Sequence, residues 1–247
     1  MASVTVGVVG ALLVYLILGG EFLKILFSSF NLSQVQLTLI FGVCLSYFIF
    51  RGIKLIASVE LLTNLIFFSA IFLILFFSLP KFSFPNISVL NIPNLFLPFG
   101  VILFSLIGWS AIPEIVDFLK FPQDKKELKK IIIFGTLIVV PFYFVFSLAV
   151  IGVAGGNVSQ DTLSGLLPFL GPKIIILGIL AALITLADSF LVLGLYLRNT
   201  FICDLKLSKN FAALITCGLP LFLFLVGFRS FIGTLGFVGT IVGVVEG

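Results

Sequence analysis

Apolar runs about as long as a bilayer-spanning helix recur along the whole chain and leave almost no room for a soluble domain. A helix needs about 20 residues to cross the hydrocarbon core of a bilayer. Only 10% of the residues are charged, against about 25% in soluble domains. The sequence therefore predicts an all-α integral membrane protein with one transmembrane domain over residues 1–247 and about eight transmembrane helices. The predicted segments are roughly 4–27, 35–50, 55–79, 96–119, 131–153, 172–198, 211–228 and 231–245.

Lysine and arginine are distributed unevenly between the predicted loops. With a cytoplasmic N-terminus and alternating segments, ten basic residues lie on the inner side and four on the outer side. The inner set is Arg51, Lys54, Lys120, Lys125, Lys126, Lys129, Lys130, Arg198, Lys206 and Lys209, and the outer set is Lys24, Lys81, Lys173 and Arg229. Because cytoplasmic loops carry the excess of Lys and Arg, we expect a plasma-membrane protein whose N-terminus is cytoplasmic.

Several function classes lack support in the sequence. There is no histidine, the three cysteines (Cys44, Cys203 and Cys217) lack metal-ligand spacing, and no GxxxxGK[ST] phosphate-binding loop occurs. The net charge of +4 arises from residues that orient the chain in the membrane, not from a nucleic-acid-binding patch. We therefore expect no enzymatic activity, no cofactor, no metal centre and no nucleic-acid partner.

The segment 96–119 begins like a spanning helix but is interrupted by Gly108, Trp109, Ser110 and Pro113. In hydrocarbon, a backbone break is tolerated only where the freed N–H and C=O groups meet protein, water or a ligand. Broken helices near the bilayer midplane hold the substrate in many secondary transporters. The segment is therefore a candidate substrate site.

Two interpretations of this break remain open. If a second half-helix begins near Ser110, Pro113 lies in its first turn, where its missing N–H would have had no partner in any case. Glu114 and Asp117 would then lie at the positive end of the helix dipole, and the free N–H groups would form a binding site for a carboxylate. The alternative is a proline kink in which Gly108 serves as a packing notch.

Other polar residues lie inside predicted spans. Thr185, Asp188 and Ser189 share one face of the sixth span; they could coordinate sodium, Asp188 could carry a proton, or its carboxyl could bond to a neighbouring helix. The hydroxyl of Tyr15, near the centre of the first span, needs either a substrate or a backbone partner. Glu60, near the inner end of the third span, is expected to extend to the interface.

The last predicted span carries glycine at intervals of three or four residues. Small residues at this spacing allow the backbones of two membrane helices to approach closely. The sequence therefore predicts a small-residue packing face, formed by Gly233, Gly236, Gly239 and Gly243.

The broken segment and the region after it resemble amino acid permeases of the amino acid–polyamine–organocation superfamily, especially the amino acid/auxin and tryptophan/tyrosine branches. The resemblance lies in a glycine-containing break, a Pro-Glu pair, a basic inner loop and a span that ends in a glycine-rich outer loop. Its counterparts here are Gly108-Trp109-Ser110, Ile112-Pro113-Glu114, Lys125 to Lys130, and Tyr143 to Gly156.

The resemblance implies a partial inverted-repeat fold of five plus five helices. Residues 1–80 would supply the last three helices of the first repeat, and residues 96–247 the second repeat, truncated at its last helix. The helix broken near 105–112 would be the sixth helix of that fold. Because the first two helices and the C-terminal end have no counterpart in the chain, we expect it to be a fragment.

The resemblance also implies ion-coupled transport of amino acids or related small amines by alternating access, in symport with Na⁺ or H⁺. The implied substrate-binding residues are Ser105, Gly108, Trp109, Ser110 and Tyr15. Thr185 and Ser189 would lie near an ion site, whereas Asp188 matches no motif of the superfamily. The alternative function is a non-transporting membrane scaffold or subunit in which the break is a packing kink. The oligomeric state does not follow from the sequence.

Overall fold

A computed structural model describes residues 2–52, 57–87, 96, 98–106 and 125–246. Over these ranges the chain is helical and contains no strand. The helices are α1 (Ala2–Leu26), α2 (Gln34–Arg51), α3 (Ala57–Ser78), α4 (Phe99–Leu106), α5 (Lys125–Ala154), α6 (Leu163–Leu170), α7 (Pro172–Cys203), α8 (Lys209–Val226) and α9 (Phe231–Glu246), with single 3₁₀ turns at Leu79–Lys81, Phe84–Asn86 and Gly155–Asn157.

Six of the described helices are long and apolar enough to cross a membrane. They are α1, α2, α3, α5, α7 and α8, and the shorter apolar stretch Phe231–Ile241 lies in α9. The prediction of an all-helical chain with membrane-spanning segments is confirmed to this extent. Of the predicted segment 96–119, the structure describes residue 96 and residues 98–106, which include α4.

The structure also differs from the predicted boundaries. The α5 and α7 helices extend beyond the predicted 131–153 and 172–198, and α6 lies where the sequence indicated only an outer loop. Hydropathy identifies the part of a helix that contacts lipid, whereas hydrogen bonding continues into polar flanks. An eight-residue helix such as α6 is too short to give a membrane-span signal.

Local sequence explains where two of the spanning helices begin and end. Ser33 caps α2, because its hydroxyl accepts a hydrogen bond from the Gln36 N–H at 3.3 Å while the Gln36 side chain accepts one from the Ser33 N–H at 2.8 Å. Ser208 caps α8 by accepting from the Phe211 N–H at 3.4 Å. Both helices end at a glycine with positive φ, Gly52 (66°) and Gly227 (117°).

The α1 helix is the central element of the bundle. In its apolar window 72% of the residues are buried, against 17–33% in the other five candidate spans. It packs against α2, α7, α8 and α9, and Leu12, Leu16 and Ile17 are fully buried. A helix that is apolar on all sides suits such a position, because every face can contact protein.

Two clusters of buried side chains lie along α7, and Asp188 lies between the α7 residues that belong to them. One cluster includes Phe190 and Leu197 of α7 together with residues of α1, α2 and α8. The other includes Ile175 and Ile179 of α7 together with residues of α1, α3, α5 and α6. Asp188 therefore lies on a helix that is held in the protein core at both ends.

The α4 and α9 helices approach each other at glycine. A Cβ atom on Gly239 would overlap the carbonyl oxygen of Gly100, so neither position has room for a side chain. The predicted packing face is thus confirmed at Gly239. It is not continuous, because a Cβ on Gly236 would meet open space and one on Gly233 would meet Ser230 of the same segment.

Candidate functional site

Six described helices contribute to a cavity of about 420 Å³, which we call the polar cavity. Tyr15, Ser105, Asp188 and Ser189, all singled out from the sequence, line it. They come from α1, α4 and α7, which are far apart in the chain. The other polar residues of its lining are Glu60, Asn64 and Tyr143.

The break itself lies outside the described residues. Gly108, Trp109 and Ser110 belong to the range 107–124, which the structure does not describe. Ser105 lies in the last turn of α4, and its hydroxyl donates to the carbonyl oxygen of Ile102 at 2.8 Å. The described part of the predicted segment therefore reaches the polar cavity just before the break.

Asp188 forms a hydrogen bond with a residue of α3. The Thr63 hydroxyl lies 2.8 Å from Asp188 Oδ2 and 2.9 Å from the carbonyl oxygen of Glu60. The other carboxyl oxygen, Oδ1, is buried and has no hydrogen-bond partner among the described residues. Because polar groups out of contact with water are normally paired, this oxygen is a point at which a proton or a ligand could bind.

The three residues that form the predicted ion-binding face have different partners. The Thr185 hydroxyl donates to the carbonyl oxygen of Ala181, on its own helix, at 3.1 Å. Ser189 interacts with the Tyr15 side chain. Asp188, in turn, pairs with Thr63. In this structure the three side chains therefore make contacts with three different partners.

A second cavity of about 340 Å³, which we call the vestibule, lies next to the polar cavity. Tyr15 and Ser189 line both cavities, whereas Thr185 lines only the vestibule. Most of the vestibule wall is apolar, and at one end it reaches residues 160–162, between α5 and α6. The two cavities thus share one side-chain boundary.

Sequence reasoning missed three polar residues of the site. Glu60 was expected to extend to the interface, but it lines the polar cavity together with Asn64 and Tyr143. The signal for the first two was present, because Glu60, Thr63 and Asn64 share one face of α3 at helical spacing. Tyr143 carries no such local signal, since its place in the site depends on how α5 packs.

Within the described ranges, no group of three or more His, Cys, Asp or Glu side chains could hold a metal ion. Scans against protein-family models, curated proteins and solved structures found no match to this chain.

Proposed function

We propose that this protein is a secondary transporter of amino acids or related small amines, coupled to an ion gradient and working by alternating access. The observation that carries the proposal is the meeting of Tyr15, Ser105, Asp188 and Ser189 at one cavity among membrane-length helices. A carboxylate at such a depth costs several kcal/mol unless it is paired, protonated or hydrated, and such residues commonly line a transport pathway.

The size and chemistry of the cavity suit a small amine. Ligand sites for small molecules usually measure about 300–1,000 Å³, and the polar cavity has about 420 Å³. Its carboxyl groups can accept hydrogen bonds from an ammonium group, and its hydroxyl and amide groups can orient the remainder of the substrate. A half-helix beginning near Ser110 would supply N–H groups for the carboxylate of an amino acid.

The hydrogen bonds around Asp188 favour the proton as the coupling ion. The Thr63 hydroxyl has one hydrogen to donate, yet it has two acceptors within bonding distance, Asp188 Oδ2 and the carbonyl oxygen of Glu60. The two contacts compete for that hydrogen, and Asp188 Oδ1, which has no hydrogen-bond partner among the described residues, offers a position for a coupling proton. Sodium, by contrast, needs several oxygens around one point, and Thr185 is bonded to its own helix.

Alternating access would expose the polar cavity to each side of the membrane in turn, by movement of one helix group against the other. The five-plus-five inverted repeat and the cytoplasmic N-terminus belong to this proposal. The competing function is a scaffold or subunit that transports nothing.

The test is uptake by proteoliposomes that contain the full-length protein, with labelled amino acids and small amines and an imposed pH gradient. We expect Asp188→Asn to reduce uptake about tenfold or more, because a hydrogen bond to a charged group contributes about 1.5–3 kcal/mol. The matched control is Asp204→Asn, because Asp204 follows α7 and lines neither cavity. Replacing sodium with potassium on both sides of the membrane should leave uptake unchanged.

Three results would contradict parts of the proposal. Folded wild-type protein that takes up none of these solutes would favour the scaffold. Full uptake by Asp188→Asn would remove Asp188 from the mechanism. Loss of uptake when sodium is absent would show that sodium, and not the proton, is the coupling ion.

A further inference from the structure

Two side chains from different helices lie where the polar cavity and the vestibule adjoin. They are Tyr15 of α1 and Ser189 of α7, which each line both cavities and interact with each other. The pair therefore lies between the two cavities. We call the pair the Tyr15–Ser189 constriction.

The far end of the vestibule carries an acidic residue in a defined position. Asp161 lies just before α6, and its Oδ2 accepts a hydrogen bond from the Ser164 N–H at 3.0 Å. Its other carboxyl oxygen accepts from the Ser164 hydroxyl. These two contacts hold the carboxyl at the end of the vestibule where residues 160–162 lie.

All charged residues in the described lining of the two cavities are acidic. They are Glu60 and Asp188 in the polar cavity and Asp161 in the vestibule, and the described lining contains no lysine or arginine. In a cleft with low-dielectric walls, charge of one sign concentrates ions of the opposite sign and excludes those of the same sign.

The wall between these charges also suits an organic cation. Phe22, Phe67 and Phe146 line the vestibule, and the face of an aromatic ring attracts an ammonium group. Such a wall compensates in part for the water that an alkylammonium ion loses on entering. It offers nothing comparable to an anion, whose charge the ring face repels.

We infer that the two cavities form one route for positively charged organic solutes, such as alkylammonium ions, and that the Tyr15–Ser189 constriction is the narrow point of this route. The inference rests on the proposed function in one respect, because it takes the solute to be a transported amine. The acidic residues at both ends select the charge of the solute. The constriction controls passage between the two cavities.

The route can be tested by thiol labelling, without any measurement of transport. The native cysteines Cys44, Cys203 and Cys217 line neither cavity and can be replaced by alanine. In that background, Ala11→Cys places a thiol in the polar cavity, and Ala182→Cys places one in the vestibule. Each variant is reconstituted and treated, from each side of the membrane, with a trimethylammonium and a sulfonate methanethiosulfonate reagent.

The first measurement tests whether the route selects solutes by charge. Each labelling rate is divided by the rate at which the same reagent reacts with a free thiol in solution. The reagents are added from the side of the membrane at which Ala182→Cys is labelled faster. From that side, we expect the cationic reagent to label Ala11→Cys about tenfold faster than the anionic reagent does. Asp161→Asn and Asp188→Asn should each lower this ratio about threefold. Equal corrected rates, or a ratio that neither substitution changes, would overturn the inference.

For the constriction, Tyr15→Ala should raise the labelling rate of Ala11→Cys from that same side while leaving the rate of Ala182→Cys unchanged. Tyr15→Phe keeps the ring and removes only the hydroxyl, so it should give a smaller increase in the labelling rate of Ala11→Cys. It replaces the alanine variant in the test if that variant does not fold. The control is Tyr47→Phe, on an exposed tyrosine of α2. Unchanged rates in both Tyr15 variants would show that the pair does not limit passage.

These outcomes are separable from those of the uptake assay. Charge-selective labelling that depends on Asp161 and Asp188 would support the route even if no substrate were taken up. Uptake with labelling that is indifferent to charge would support the transporter and overturn the route.

Discussion

At the scale of single residues, the contact between Thr63 and Asp188 is the most informative. The sequence marked Asp188 because a carboxyl group inside an apolar span needs a partner. It gave no indication that the partner is Thr63, which is 125 positions away in the chain and 2.8 Å away in space. A hydroxyl on an apolar helix is too common to mark a site, so only the packing of α3 against α7 identifies this pair.

This contact predicts a stability effect. Thr63 is buried, and Thr63→Val keeps its shape while leaving Asp188 Oδ2 without its donor. We expect the free energy of unfolding to fall by about 0.5–2 kcal/mol, the range of hydrogen bonds between membrane helices. Unfolding in mixed micelles measures it, and Thr63→Ser, which keeps the hydroxyl, should remain close to wild type. Equal losses in both variants would mean that the hydrogen bond contributes nothing.

At the scale of helices, the described elements show what hydropathy and spacing can predict. Seven of the eight predicted segments correspond to helices whose limits lie within several residues of the prediction, because a spanning helix must be long and apolar. The central place of α1 could not be predicted in this way. Several spans are similarly apolar, and only tertiary packing decides which of them is surrounded by protein and which faces lipid.

The glycine contact between α4 and α9 gives a prediction for these elements. Gly239→Ala would place a methyl group against the Gly100 backbone, which cannot move aside as a side chain can. We expect a loss of about 1–3 kcal/mol, the usual cost of overpacking. Gly236→Ala, on the same helix but facing open space, should be neutral or slightly stabilising, because alanine favours helix. Thermal unfolding in detergent compares the two, and similar melting temperatures would contradict the close contact.

At the scale of the whole molecule, the sequence predicts how the bundle is oriented in the membrane. The count of ten basic residues against four applies to the chain as a whole, and it favours the end of α7 at Cys203 on the cytoplasmic side. By the same rule, we expect the turn Gly155–Asn157, between α5 and α6, to be on the outer side.

Cysteine labelling in cells tests this orientation. Asn157 and Asp204 are both exposed, so Asn157→Cys and Asp204→Cys, in a background without native cysteines, report on the two sides. We expect a membrane-impermeant maleimide to label Asn157→Cys in intact cells and Asp204→Cys only after the membrane is permeabilised. The reverse pattern would invert the predicted topology.

Membrane residence, the helical class and the approximate limits of the spans follow from the sequence, because they depend on local hydropathy and on the need to satisfy backbone hydrogen bonds inside a bilayer. The local anomalies at Asp188, Tyr15 and Ser105 are visible there as well. Their meeting at one cavity, the pairing of Asp188 with Thr63, and the boundary that Tyr15 and Ser189 form between two cavities depend on contacts between distant segments. Only the tertiary structure decides these features, because side-chain packing sets the rotation and the neighbours of each helix.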